Sequence, residues 1–482
     1  MALTHDKYEV VIGLEVHAQL NTKTKIFAAD ETTFGAKPNT HVSPITLGMP
    51  GTLPKLNIAV PEKAIKLGIA CNCKIASVTY FDRKNYFYAD LPKGYQISQD
   101  TQPICTGGFI DIVVDNLHKK INLTRIHIEE DAGKNNHELD ADFSLIDLNR
   151  AGIPLLEIVS EPDLRSSDEA YSFLTELRKI VRYLDVCDGN MEEGSMRCDA
   201  NVSVRLKGEQ NYRDRVEVKN MNSIRNVKRA IDNEVERQIL IYENGGTVEQ
   251  ETRGFNPNDG SSFSMRTKEN AHDYRYFPEP NLPPVYITDA QINTIKSKMP
   301  KLHHELKTMF VSQYQLSEYD AQILTDEKEI AQYFIDLLPH TNNYKAAANW
   351  IINEVKSYIN EHGIMLSEFK LTPKQLAEII QLLDANKISS AGAKSLFKKF
   401  TEGQSLSAQA LAQQLNLLQS SNTDELNNWI EQALGKFPDK ITEYKNGKKG
   451  NINLFMGEVM KISKGKADPK LTTKLLETKL NA

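Results

Sequence analysis

The chain has 482 residues, too many for one hydrophobic core, so two to four domains are expected. Hydrophobic residues at 40% and charged residues at 25% describe an ordinary globular composition and exclude a disordered or fibrous one. A net charge of -6 gives no overall attraction to nucleic acid, so any such contact must come from a local patch.

Residues 1–9 are polar and charged with no apolar core behind them, and no apolar run approaches the length of a membrane span. Neither a secretory leader nor a membrane partner is expected, and the setting expected is cytosolic. Cys71, Cys73, Cys105, Cys187 and Cys198 are odd in number and lack paired CxxC spacing, which favours reduced structural thiols over a zinc site.

The first strong element is YEVVIGLEVHAQL, from Tyr8 to Leu20. Read with a period of two, Val10, Ile12, Leu14 and Val16 share one face, while Glu15, His17 and Gln19 share the other. INLTRIHIEEDAGK repeats the device: Arg125, His127 and Glu129 share a face, and Glu130 and Asp131 run on toward a turn at Gly133. In MRCDANVSVRL, Arg197, Asp199, Asn201, Ser203 and Arg205 oppose an apolar face. Three acid-bearing faces lining one cleft would hold a hard cation, because clustered carboxylates repel one another without one. The same alternation is also what a sheet with one solvated face shows, and the residues alone leave both readings open.

Residues 1–293 read as a β-rich catalytic body holding all five cysteines and every arginine. Its sheet is expected to be mixed or antiparallel, since no βαβ rhythm is visible. Two helices stand out. Ser166 to Glu169 offers a capping box ahead of Tyr171, Leu174, Leu177, Val181 and Leu184; Ser223 opens a second helix with Ile224, Val227, Ile231, Val235 and Ile239 inside. Residues 294–405 read as a helical domain, with helices over Asp320 to Leu338 and Lys345 to His362, and residues 406–482 as a small helical tail. The class is therefore α+β. From Ile441 onward nine lysines face four acids, which suits diffuse attraction to phosphates, although a solvated helix surface shows the same.

No GxxxxGK[ST] loop, GxGxxG or GxSxG is present, which removes the Walker, Rossmann and hydrolase-elbow chemistries. No cysteine carries a nucleophile motif. What remains is the acids, His17, and the basic residues of FDRKNYFYADLPKGYQISQ: Arg83, Lys84 and Lys93. Acids to hold a cation and lysines to meet phosphate oxygens are the parts of phosphoryl transfer. Arg83 is the better candidate for a structural ion pair.

VIGLEVHAQL, FDRKNYFYADLPKGYQISQ, RIHIEEDAGK, DLNRAGIPLLEIVSEPDLRS, MEEGSMRCDANVS, EVKNMNS, AHDYRYFPEPNLPP and NLFMGEVMKISKGKADPKL, in this order, resemble the B subunits of the tRNA-dependent amidotransferases over essentially the whole chain. The resemblance implies a cradle-shaped catalytic domain that activates the side-chain carboxylate of Glu-tRNA(Gln) or Asp-tRNA(Asn) with ATP and magnesium. The acyl phosphate so formed is amidated by ammonia channelled from an amidase (A) subunit, and a small C subunit completes the complex. It also implies metal roles for Glu15, His17, Glu130 and Asp199, with Glu129 as a nearby acid of the catalytic set. Lys84 and Lys93 would then serve phosphate contact or the ammonia path, and Lys461, Lys464 and Lys466 the tRNA. Glu157 alternates with apolar neighbours and reaches either the cleft or a buried arginine.

Overall fold

The computed structural model describes every residue except 1–4, 137–139, 141, 268–273, 421, 464 and 482. The chain divides into two compact units, Met1–Leu302 and His303–Ala482. The first is built on a sheet and the second is helical, so the class is α+β.

The sheet contains β1 (Tyr8–Gln19), β2 (Lys74–Ile75), β3 (Cys105–Thr106), β4 (Phe109–Val114) and β5 (Leu117–Glu130). It continues with β6 (Pro154–Ser160), β7 (Met196–Leu206), β8 (Val216–Lys219), β9 (Glu251–Phe255) and β10 (Ser262–Thr267). The order is β10-β9-β8-β7-β1-β6-β5-β3-β2, with β4 paired to the first half of β5. Every pairing is antiparallel except β8 with β9. β1 is central because its Val and Ile residues suit a pleated surface and its apolar face is fully covered: Ile12 and Val16 are at 0% exposure and Leu14 at 1%.

Helices α1 (Ala59–Ala70), α2 (Ser167–Tyr183) and α3 (Ile224–Glu243) supply the cover. α2 and α3 pack on each other and on β4 and β7 respectively, while α1 lies against β5. α2 starts where Ser166, in extended conformation, accepts the Glu169 amide. The expected reciprocal half of the box goes elsewhere: Glu169 Oε2 accepts the Arg165 amide at 2.7 Å and pairs with Lys119. Leu174, Leu177, Val181 and Leu184 are buried, each contributing roughly 1.5–3 kcal/mol. Tyr171, at the head of the same helical series, is 45% exposed. Ser223 caps α3 through the Asn226 amide, and Val227, Ile231, Val235 and Ile239 line its buried side.

In the second unit, the stretch read as one helix from Asp320 is two, Glu318–Thr325 and Lys328–Leu337; Glu327 adopts an extended conformation and starts the second. Tyr344–Trp350 runs through a widened π-type turn at Ile351–Val355 into Lys356–His362, and Gly363 ends it in the left-handed region at φ 60°. The final helices enclose a core of their own, including Leu426, Ile430, Phe455, Val459, Leu476 and Leu480.

Candidate active site

Register builds the site. β1 places Glu15 opposite Asp199 on β7 and His17 opposite Glu157 on β6, and β6 places Glu157 opposite His127 on β5. Residues directly opposite on neighbouring strands have Cβ atoms about 4.5–5.5 Å apart, so acids on four strands converge. His17 Nε2 lies 3.4 Å from Glu157, 3.7 Å from Glu15 and 3.8 Å from Glu129. His127 Nε2 lies 3.5 Å from Glu157 and 3.9 Å from Glu129. Ligand-capable atoms of Glu15, His17 and Asp199 fall within 4.8 Å of one another, as do those of His17, Glu129 and Glu157.

The crowding shows in the ionisation of the group. Burial, reinforced by the Glu157 charge, pushes Glu15 up to about 6 and Glu129 up to about 7. Burial works against a charged His17, but Glu157, Glu129 and Glu15 outweigh it and raise the imidazole to about 9. Burial likewise opposes a charged Glu157, yet His127, His17 and Lys84 hold its carboxyl well below the usual range. His127 is depressed to about 4 by burial and stays neutral.

Cations surround the acids. Lys219 on β8 bonds Asp199 and stands 3.4 Å from Glu217. Lys84, on the strand Asp82–Asn85, has its Nζ 4.8 Å from the centre of the Tyr274 ring. Burial would lower it, but Glu129 and Glu157 raise it well above an ordinary lysine. Arg197 pairs bidentately with buried Asp131 at 3.0 and 3.1 Å, and Gln19 donates to the same carboxylate at 2.8 Å. An open cleft of about 440 Å³ lies over His17, Asp199, Arg197, Arg150 and Lys219.

Glu15, His17, Glu129 and Asp199 are thus brought together, and Glu130 is not. Consecutive residues of a strand face opposite ways, and Glu130 bonds Lys93 and accepts the Ile97 amide at 2.8 Å. That pair lines a different, smaller cavity of about 120 Å³ together with Lys25 and Gly48. Lys84 and Lys93 are therefore separated, one beside the acid cluster and one beside Glu130. Gly48 sits at φ 66°, and a Cβ there would come within 2.7 Å of the Lys93 side chain, so close packing demands glycine. Arg83 forms an ion pair with Glu279, with its Nη2 3.0 Å from Oε1. Glu157 meets two histidines instead of an arginine. Lys461 is exposed and Lys466 half-buried in the tail; Lys464 lies outside the described residues.

Sequence reasoning missed Lys219; it left Glu157 between the cleft and a buried arginine, and it placed His127 on the face of Glu129 without giving it a role. Alternation gave the face of each residue, but only the register of β5, β6 and β1 shows that the faces meet. The donor set suits a hard divalent cation: the carboxylates of Glu15, Asp199, Glu129 and Glu157 converge around His17, and burial together with the Glu157 charge pushes Glu15 and Glu129 upward.

A family model described as the GatB/GatE catalytic domain matches residues 10–293, and one described as the GatB domain matches residues 332–480. Among similar proteins, the aspartyl/glutamyl-tRNA(Asn/Gln) amidotransferase B subunit of Thermoanaerobacter pseudethanolicus is 47% identical over 475 residues, 98% of this chain and 100% of the relative. The proteins of the same name from Caldicellulosiruptor bescii and Syntrophotalea carbinolica are each 48% identical, covering 98% of this chain and 99% of theirs. Both matched regions and the identity to these relatives over nearly the whole chain show that it belongs to the family of aspartyl/glutamyl-tRNA(Asn/Gln) amidotransferase B subunits.

Proposed function

We propose that this chain activates the side-chain carboxylate of Glu-tRNA(Gln) or Asp-tRNA(Asn) for amidation, working in a cytosolic complex with an amidase subunit and a small third subunit. A carboxylate is a poor electrophile because oxide would have to leave. In the proposed reaction a carboxylate oxygen attacks the γ-phosphorus of ATP, and ADP departs to leave an acyl phosphate. Ammonia nitrogen then attacks the acyl carbon, phosphate leaves, and loss of a proton yields the amide. The supporting observation is the convergence of Glu15, His17, Glu129, Glu157 and Asp199 on one face of four adjacent strands, with Lys84 and Lys219 beside them.

Glu15, Asp199, Glu129 and Glu157 would hold magnesium. When bound there, the ion supplies positive charge to phosphate oxygens. His17 is a softer donor than magnesium prefers, so it is assigned to a water of the ion's shell. Lys219 and Lys84 would meet phosphate oxygens, and Arg197, held by Asp131, lines the same cleft. Lys93 and Glu130, in their own cavity, are left to the ammonia path.

The test is a tRNA-dependent ATP-cleavage and amidation assay on the complete complex with Glu-tRNA(Gln), ammonium and magnesium. Asp199→Asn should lose both activities by roughly 10²-fold or more while assembly and tRNA binding persist. Retention of both would make the chain a tRNA-binding scaffold and the acid cluster structural.

A further inference from the structure

Glu157 has an imidazole on each side. His17 Nε2 and His127 Nε2 approach the same oxygen, Oε2, at 3.4 and 3.5 Å. The two histidines differ in access: His17 lines the open cleft, whereas His127 is 2% exposed on the neighbouring strand. His127 Nε2 also lies 3.9 Å from Glu129, while its Nδ1 is buried without a hydrogen-bond partner among the described residues. A neutral imidazole carries one proton. On Nδ1 that proton would face no acceptor and leave a lone pair pointing at two carboxylates; on Nε2 it faces them.

We propose that His127 is a positioning residue for the cation site: its Nε2–H donates to Glu157 and fixes the carboxylates of β5 and β6 in the orientation where they converge with His17. It acts through Glu157 and does not reach the cleft. Metal ligands are commonly oriented by such outer partners, whose loss typically costs 10–100-fold in metal affinity. The inference rests on the reading that the acid cluster holds a divalent cation.

The experiment titrates Mn²⁺ alone into the complete complex, without ATP or tRNA, and follows the free ion by electron paramagnetic resonance. His127→Gln places an amide nitrogen near the position of Nε2, whereas His127→Asn places one near Nδ1. Asn should weaken Mn²⁺ binding by about 10–100-fold, and Gln should stay within about threefold of the native complex. Equal affinities for Asn and Gln would overturn the proposal. If Asn fails to assemble, His127→Met, of similar volume and without a donor, replaces it. Glu157→Gln separates the two levels. If it weakens Mn²⁺ binding while His127→Asn does not, only the positioning role falls; if it changes nothing, the cation reading falls with it.

Discussion

At the scale of single residues, burial decides what each ionisable group can do. Lys25 is 1% exposed, and its Nζ donates to the carbonyls of His41 at 2.7 Å and Leu148 at 3.2 Å, pinning two loops beside the small cavity. Burial lowers its ammonium to about 8 from 10.5, against the charges of Asp30, Asp147 and Glu130, which hold it up. Between these two values the unfolded chain binds more protons than the folded one, so this residue's contribution to stability rises with pH; below the window the full penalty of the buried charge remains. Denaturant melts at several pH values should therefore show native stability gaining on Lys25→Met between pH 8 and 10. A constant difference would place Lys25 in a more solvated site.

At the scale of elements, strand periodicity carried part of the site and pairing register the rest. The period of two in β1 assigned Glu15 and His17 to one face, because a strand whose other face is buried has no freedom to turn over. The same rule separates Glu129 from Glu130, yet a pair of adjacent acids at a strand end does not declare which of them points into the cleft. Glu157 was left between two readings for a different reason: its partners are 140 and 30 residues away in sequence (157 − 17 and 157 − 127), and only pairing register brings them near. Local signals did better where the physics is local. Ser166 caps α2 in the expected way, and Ser166→Ala should cost about 1 kcal/mol in unfolding experiments. No change in stability would mean that Glu169, held by Lys119 and the Arg165 amide, fixes the helix start alone. The break at Glu327 follows Thr325 and Asp326, both weak helix formers, a signal overridden in the sequence reading by the apolar periodicity on either side.

Across the whole molecule, the residues assigned to chemistry and those assigned to RNA contact fall on different parts of the chain. The acid cluster and the arginines belong to the sheet unit, while lysine dominates the tail, whose helices surround a separate core. Among the described residues, no helix is long and apolar enough to cross a membrane. Several tail lysines already have partners, such as Lys479 with Glu431 and Lys448 with Glu443. Lys461, exposed in the last turn of Ile452–Ile462, and Lys466 are the better candidates for phosphate. Lys461→Glu with Lys466→Glu should weaken tRNA binding and flatten its salt dependence by about one to two in slope, leaving ATP cleavage at saturating tRNA intact. An unchanged salt slope would make this face an ordinary solvated surface.

In the proposed reaction the substrate's own carboxylate takes the phosphoryl group at the acid cluster. Glu-tRNA(Gln) carrying ¹⁸O in the glutamyl side chain tests it directly, with the inorganic phosphate analysed by mass spectrometry after amidation by the complete complex. One labelled oxygen is expected in each phosphate released, and no labelled phosphate with Asp199→Asn. Unlabelled phosphate from an active native complex would contradict it, since the carboxylate would then have been activated without passing through an acyl phosphate.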